Sequence, residues 1–313
     1  MSSQDIQKLP HCLHGLDGPD AFVAALAAAG VDLDEVVATC VKSGADAGVL
    51  LGGSLAEGVG NASSDVDLII LLESERELRT DREGLAIRAG RSSELLLYRN
   101  GIEINLEIYV RDDVEELMSA FVSLAPVLYN PSEVEQIPML QPFDTRFLHR
   151  LRNGWPLRGL HRIEIWRDEF MVDLLATYLV VFYFIKFCDF FEDAMAMAQL
   201  LPVAGVFVGR KSAEHAMLSL LAKSGFTSPS TKWLLHWSGS ARGQCPASLL
   251  DTGQSLLLDF VDPDDVQRYL QQVAGFGRDV LQVLRQDPEL RSATDFVRSR
   301  IAHISLESGS MGA

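Results

Sequence analysis

The run Val66-Asp67-Leu68-Ile69-Ile70-Leu71-Leu72 constrains the fold more than any other stretch of the chain. A β-strand turns successive side chains to opposite faces, so a strand that is apolar at nearly every position must be covered on both. A second apolar run, Ala47-Gly48-Val49-Leu50-Leu51, lies just upstream and ends in Gly52-Gly53. Two such strands predict a sheet buried inside a layered α/β arrangement rather than one lying on a surface.

The polar residues at the edge of these strands carry the chemistry. Asp65 and Asp67 flank Val66 at the head of the strand. Residues two apart on a strand leave the same face, with Cα atoms roughly 6.6 Å apart. Two carboxylates so close repel, and a hard divalent cation relieves the repulsion because it takes carboxylate oxygens. Gly53 and Ser54 follow the upstream strand, where glycine lets backbone N–H groups approach a phosphate. One segment thus offers an anion cradle and a cation platform, and a metal–triphosphate needs both.

Downstream, residues 74–90 are expected to form an exposed helix ending at Gly90. Residues 94–98 and 102–110 read as two strands. Arg99-Asn100-Gly101 joins them, and Asn-Gly is a tight-turn signal, so they form a hairpin. In the second strand Ile102, Ile104, Leu106, Ile108 and Val110 share one face; Glu103, Asn105, Glu107 and Tyr109 share the other. From residue 112 onward the pattern becomes helical, with helices at 114–124, 162–191, 212–224, 231–237, 263–285 and 288–303. Residues 202–209, 225–230 and 238–247 read as loops. Helices are also expected within 19–43. Pro138, Pro142, Gly154 and Pro156 mark the change of pattern.

Composition narrows the function classes. Residues 1–150 hold 11 Lys and Arg against 25 Asp and Glu, a balance of −14; residues 151–313 hold 16 against 18, a balance of −2. An acidic front half argues against extended nucleic-acid binding, which needs clustered basic residues. The twelve-residue apolar run Leu174 to Ile185, bracketed by Asp173 and Lys186, is too short to cross a bilayer and reads as a buried helix, with no membrane partner expected. The first ten residues show no basic start followed by an apolar stretch, so a cytoplasmic location is expected. Cys12, Cys40, Cys188 and Cys245 form no CxxC pair; Cys12 with His11 and His14 reads as a surface segment rather than a zinc site. The aromatic run Tyr178, Phe182, Tyr183, Phe184, Phe187 and Phe190 reads as core, and His215 and His236 as structural.

Gly53-Ser54, ten intervening residues, then Asp65-Val66-Asp67 among apolar neighbours resembles the signature of the nucleotidyltransferases of the DNA polymerase beta superfamily, over about residues 49–110. The resemblance implies an α+β fold, with a small mixed sheet and flanking helices followed by an all-helical domain. That gives a catalytic domain over 1–145, a helical domain over 146–304 that covers the acceptor, and a flexible tail over 305–313. It also implies Mg²⁺, as two ions, held by Asp65, Asp67 and a third carboxylate from the later strand. Glu107 is the choice for that third acid, as ligand and general base, with Glu103 in reserve. Asn105 between them is the warning: were it to stand opposite the aspartates, the base would be missing. Gly53, Ser54 and Ser64 are the expected nucleotide contacts. Lys232 joins them, because Lys232-Trp233 after a loop resembles a Lys-Trp placement in the helical half of small-molecule nucleotidyltransferases. Arg210 and Lys211 are weaker candidates. The implied reaction moves a nucleoside monophosphate, AMP from ATP, to a hydroxyl of a small-molecule acceptor and releases pyrophosphate. A protein or tRNA acceptor, or nucleotide sensing without transfer, are the alternatives.

Overall fold

The structure is a computed structural model that describes residues 16, 18–61, 64–79, 87–129, 139–291 and 294–295. The Cys12 segment, the residues from 296 onward and the expected tail lie outside the described residues. The chain divides into two compact units. One takes residues up to 122 and again 140–172; the other takes 123–139 and everything from 173 on.

The first unit is built on a mixed six-stranded sheet. Its strands are β1 (Gly48–Leu51), β2 (Val66–Leu72), β3 (Ile87–Ala89), β4 (Ser92–Arg99), β5 (Ile102–Val110) and β6 (Trp155–Arg158), in the order β3-β4-β5-β2-β1-β6. The β2–β5 pair is parallel and the others antiparallel. As the apolar runs predict, every residue of β1 and β2 is buried. One sheet face packs Val66, Leu68, Ile70, Leu72, Ile104, Leu106, Ile108 and Val110 beneath helices α1 (Pro19–Ala28) and α2 (Leu33–Ala38). Asp32 caps α2 by accepting from the N–H groups of Asp34 and Glu35 at 2.7 and 3.2 Å. The expected hairpin between β4 and β5 is present. Asn100 and Gly101 both take positive φ, 51° and 81°, as a two-residue turn matched to strand twist requires.

Three expectations for this unit are corrected. Residues 74–90 are not one helix: Glu75–Glu77 is a single 3₁₀ turn closed by Ser74 and Glu77 in a capping box, and 87–89 is the edge strand β3, with 80–86 outside the described residues. The division at 145 is also displaced. Beyond α4 (Arg111–Val122), residues 142–172 belong with the sheet, because α6 (Pro142–Asn153) leads directly into β6, which pairs with β1. The four-residue β6 contains Pro156, which an edge strand tolerates and which makes the segment look like a linker. Helix α7 (Leu160–Glu169) follows, and the single helix expected over 162–191 breaks at Met171, whose φ is 47°.

The second unit is helical: α5 (Leu124–Tyr129), α8 (Leu174–Leu200), α9 (Pro202–Lys223), α10 (Leu234–Ser240), α11 (Ala247–Leu258) and α12 (Val266–Arg285). α8 is long and apolar enough to span a membrane by length and composition, yet 61% of its most apolar window is buried within the fold. Tyr178, Tyr183, Phe184 and Phe187 are core, as expected of the aromatic run. Residues 202–209 open α9 instead of forming a loop. Pro202 suits the first turn, where its missing N–H costs nothing, and Gly205 lies against the backbone of Ala198 where any side chain would clash.

His215 is a structural residue of this unit. It stacks on Phe190, ring centroids 4.9 Å apart, and its Nδ1–H donates to the Lys211 carbonyl at 2.7 Å. Burial holds its imidazole below the ordinary pKa of 6.5. The unfolded chain therefore takes up a proton near pH 6.5 that the folded chain refuses, so the neutral imidazole's contribution to stability is lost as pH falls below that value. The melting temperature of the wild type is expected to drop more steeply between pH 7 and pH 5 than that of His215→Gln. Parallel slopes in thermal melts across this range would refute the assignment.

Candidate active site

The register of the parallel pair sets the site. Asp67 stands beside Asn105, Ile69 beside Glu107 and Leu71 beside Tyr109. These residues share the sheet face opposite the α1–α2 core. β4 adds Glu94, directly opposite Glu107. Helix α6 covers this face, and its residues Arg146, His149, Arg150 and Asn153, spaced three and four apart, lie on one side of the helix.

Each carboxylate finds its own surroundings. Asp67 is 8% exposed, and Glu107 only 2%. Arg150 bridges them, with Nη1 on Glu107 Oε1 and Nη2 3.4 Å from Asp67 Oδ1. Asn105 Nδ2 donates to the same Asp67 oxygen at 3.3 Å. Glu107 is further engaged by Arg146, 3.6 Å from Oε1, and by Tyr109, whose hydroxyl donates to Oε2 at 3.1 Å. Arg146 also lies 3.5 Å from Glu94. Burial raises the Asp67 pKa above its ordinary value; Arg150 opposes the shift, and the nearby charges of Asp65 and Glu107 add to it. Burial also disfavours the Arg150 charge, but Glu107 and Asp67 outweigh it and hold the guanidinium firmly protonated. Burial and Glu107 together push the Tyr109 phenol well above its usual range.

The glycine-rich segment closes on the same point. Gly53 has φ 66°, and a side chain there would overlap Asp67 Oδ2, so only glycine permits this approach of backbone to carboxylate. The Gly52 N–H donates to the Asp67 carbonyl at 2.8 Å. Ser54 is half-buried in the single turn α3 (Gly53–Ala56). Glu57, just after that turn, accepts from His149 Nε2 at 3.1 Å; His149 Nδ1 in turn accepts from Asn153 Nδ2 at 3.0 Å, which leaves the ring proton on Nε2. The segment is thereby fastened to α6.

The predicted site residues separate into groups. Gly53 lies against Asp67, Asp65 is near enough for its charge to act on Asp67, and Ser54 follows Gly53 in the chain. Ser64 belongs to the same loop, but its hydroxyl accepts from the Asn61 N–H at 2.9 Å and so closes a turn. Glu107 shares the site through Arg150, enclosed rather than presented to an acceptor. Asn105, not an acid, occupies the position beside Asp67. Glu103 accepts from the Tyr98 hydroxyl at 2.8 Å. Lys232 lies in the second unit, exposed, with its ammonium 4.6 Å from the Trp233 ring centroid. Arg210 donates to the Asp259 carbonyl at 2.5 Å, and Lys211 pairs with Glu214. Sequence reasoning missed Arg146 and Arg150. Their one signal was basic residues four apart on an amphipathic helix, obscured because the stretch reads as a linker.

Residues 33–120 match the family model of the nucleotidyltransferase domain. The first unit carries a nucleotidyltransferase domain. The matched stretch holds β1, β2 and β5 with Gly53, Asp65 and Asp67, and it ends before α6, so the two arginines lie outside it. Among solved structures, the chain is similar to a nucleotidyltransferase-like protein from Exiguobacterium sibiricum 255-15, with 10% identity and a TM-score of 0.42 over 85% of this chain and 82% of that one. A search of curated proteins returned no match.

Nucleotidyltransferase domains generally use divalent metal ions. Among the described residues no three His, Cys, Asp or Glu side chains gather closely enough to enclose an ion, so Asp65, Asp67 and Glu107 do not form the expected three-acid set. Asp65 and Asp67 do fit Mg²⁺, which is commonly held by one or two carboxylates and completed by substrate phosphates and water.

Two outcomes follow for the nucleotidyltransferase unit. Arg150→Met is expected to lower unfolding free energy by about 3–5 kcal/mol in urea titrations, since it leaves buried carboxylates unpaired, whereas Arg150→Met with Glu107→Leu should recover most of the loss. No recovery in the double variant would show that Arg150 acts through packing instead. Gly53→Ala is expected to cost upwards of about 1 kcal/mol from the left-handed backbone alone. It should also displace Asp67, so nucleotide binding measured by calorimetry should weaken more than stability does.

Proposed function

We propose that this protein transfers a nucleoside monophosphate, AMP from ATP, to a hydroxyl group of a small-molecule acceptor with release of pyrophosphate. The observation that carries the reading is the meeting of Asp65 and Asp67, at the head of a buried strand, with the glycine turn at Gly53. A strand-end carboxylate pair for a metal and a backbone cradle for a phosphate lie within one segment. The acidic balance of residues 1–150 supports a small acceptor over a nucleic acid, because a polyanion would meet like charge.

Asp65 and Asp67 would hold Mg²⁺. When bound, the ion orients the triphosphate and neutralises charge that builds up on its oxygens. Asp67 is held in place by Asn105, Arg150 and the Gly53 backbone, so its geometry is set before substrate arrives. Arg150 keeps one positive charge beside Asp67 and Glu107 whatever the pH, because a guanidinium does not deprotonate in proteins. The His149–Glu57 hydrogen bond restrains the segment that follows Ser54.

A second reading, nucleotide binding without transfer, is favoured by one observation: the position beside Asp67 is an amide, and both Glu107 oxygens are engaged. One experiment separates the two. The protein is incubated with each of the four α-labelled NTPs, Mg²⁺ and a metabolite extract, and the label is followed by chromatography. Transfer predicts label in a small acceptor with ATP preferred, and Asp65→Asn or Asp67→Asn should reduce it at least about 100-fold, the scale expected when a charged transition-state contact is lost. Label that is bound but never transferred would establish sensing; label in protein or RNA would overturn the small acceptor.

A further inference from the structure

We infer that this site is built for one divalent cation, with Arg150 as a permanent second positive charge between Asp67 and Glu107. The inference rests on the nucleotidyl-transfer reading and refines it.

Three observations meet here. First, the side chain in register with Asp67 on the parallel strand is the neutral Asn105, which donates to Asp67 Oδ1. An amide that donates to a carboxylate supplies no charge to a metal. Second, Glu107, the fully buried acid on this face, has both oxygens engaged, Oε1 by Arg150 and Arg146 and Oε2 by the Tyr109 hydroxyl. A carboxylate in that state is satisfied, and recruiting it to a metal would break contacts with three side chains in a place water does not reach. Third, the guanidinium of Arg150 spans Asp67 and Glu107, so a cation held by both acids would have to displace it. Its two terminal nitrogens lie one against each carboxylate, a span that the single ammonium of lysine cannot copy.

Charge balance points the same way. Asp67, Glu94 and Glu107 face Arg146 and Arg150 and Asp65 meets neither, so the acids outnumber the arginines on this face. Asp65 is half-buried and has no ion pair among the described residues, so the open side of the Asp65–Asp67 pair is where the cation is held. Asp67 Oδ1 is already shared by Asn105 and Arg150, and the arginine's place is fixed by helix α6 rather than by solution conditions. A chelator therefore removes one positive charge from this site and leaves the other behind.

The test uses the full chain with Mn²⁺ as the probe and a non-transferable α,β-methylene ATP analogue at saturation. Bound Mn²⁺ per chain is counted by electron paramagnetic resonance, which also detects coupling between paired ions. Circular dichroism checks that each variant is folded. The wild type is expected to hold one Mn²⁺ with no coupled signal. Asp65→Asn and Asp67→Asn should each weaken Mn²⁺ at least tenfold, and Glu107→Gln should change its affinity less than twofold. Asn105→Asp, which places an acid in register with Asp67, should tighten Mn²⁺ about tenfold or admit a second, coupled ion. Two coupled ions in the wild type overturn the inference, as does a folded Glu107→Gln that loses Mn²⁺ as Asp67→Asn does. Should Glu107→Gln fail to fold, the Asn105→Asp arm decides: unchanged affinity and stoichiometry there also overturn it. Two ions leave the nucleotidyl-transfer reading standing, whereas Mn²⁺ binding indifferent to both Asp65 and Asp67, or no binding of the analogue, removes that reading as well.

Discussion

Buried carboxylates must be paired, and in the first unit that requirement organises everything else. β2 and β5 lie at the centre of the sheet, so any acid on them is withdrawn from water. The effective cost of burying an uncompensated ion is several kcal/mol even after relaxation, comparable to a large part of a domain's net stability. Asp67 and Glu107 are tolerated because α6 lays Arg150 across both and Arg146 beside one. Burial still holds the Asp67 pKa above its ordinary value, with Arg150 opposing the shift and Asp65 and Glu107 adding to it.

The two faces of the sheet divide the labour. Under α1 and α2 the alternating residues of β2 and β5 are aliphatic and form a dry core. The other face carries the acids toward α6, where aromatic packing takes over as the strands run on: Tyr109 and Phe147 have ring centroids 4.2 Å apart, and Phe147 meets Phe170 edge-on at 5.5 Å. The charged network is thus sealed at one end by rings and open at the other, where the glycine turn and Asp65 lie. Low dielectric on the sealed side strengthens each ion pair. Precision at the open end comes from backbone: Gly53 has no side chain to hold it away from Asp67, and β1 pairs antiparallel with β2 right up to that turn.

Much of this was legible in the sequence. An all-apolar strand cannot be anything but central, and Asn-Gly between two alternating runs admits few geometries, so β1, β2 and the β4–β5 hairpin follow from local chemistry. The same-face rule placed Asp65 with Asp67, and Glu103, Asn105, Glu107 and Tyr109 together, without any tertiary information. Less was legible where an element draws its stability from a neighbour. β3 and β6 are short edge strands that exist because β4 and β1 offer them hydrogen-bonding partners, and residues 202–209 are helical because α9 packs on the core despite its glycines.

The sequence by itself determined which residues are acidic, which share a face and where the backbone can approach a phosphate, because periodicity and glycine act within a few residues. It could not determine which acid faces which. The alternation along β5 is the same whether Asn105 or Glu107 stands beside Asp67, and only the pairing register, set by how two distant strands bury their aliphatic faces together, chose Asn105. Nor could it show that a helix some eighty residues beyond Asp67 would supply the counter-charge. Arg146 and Arg150 become part of the site only when chain folding brings α6 over the sheet, since ion pairing depends on distance in space and not on distance along the chain.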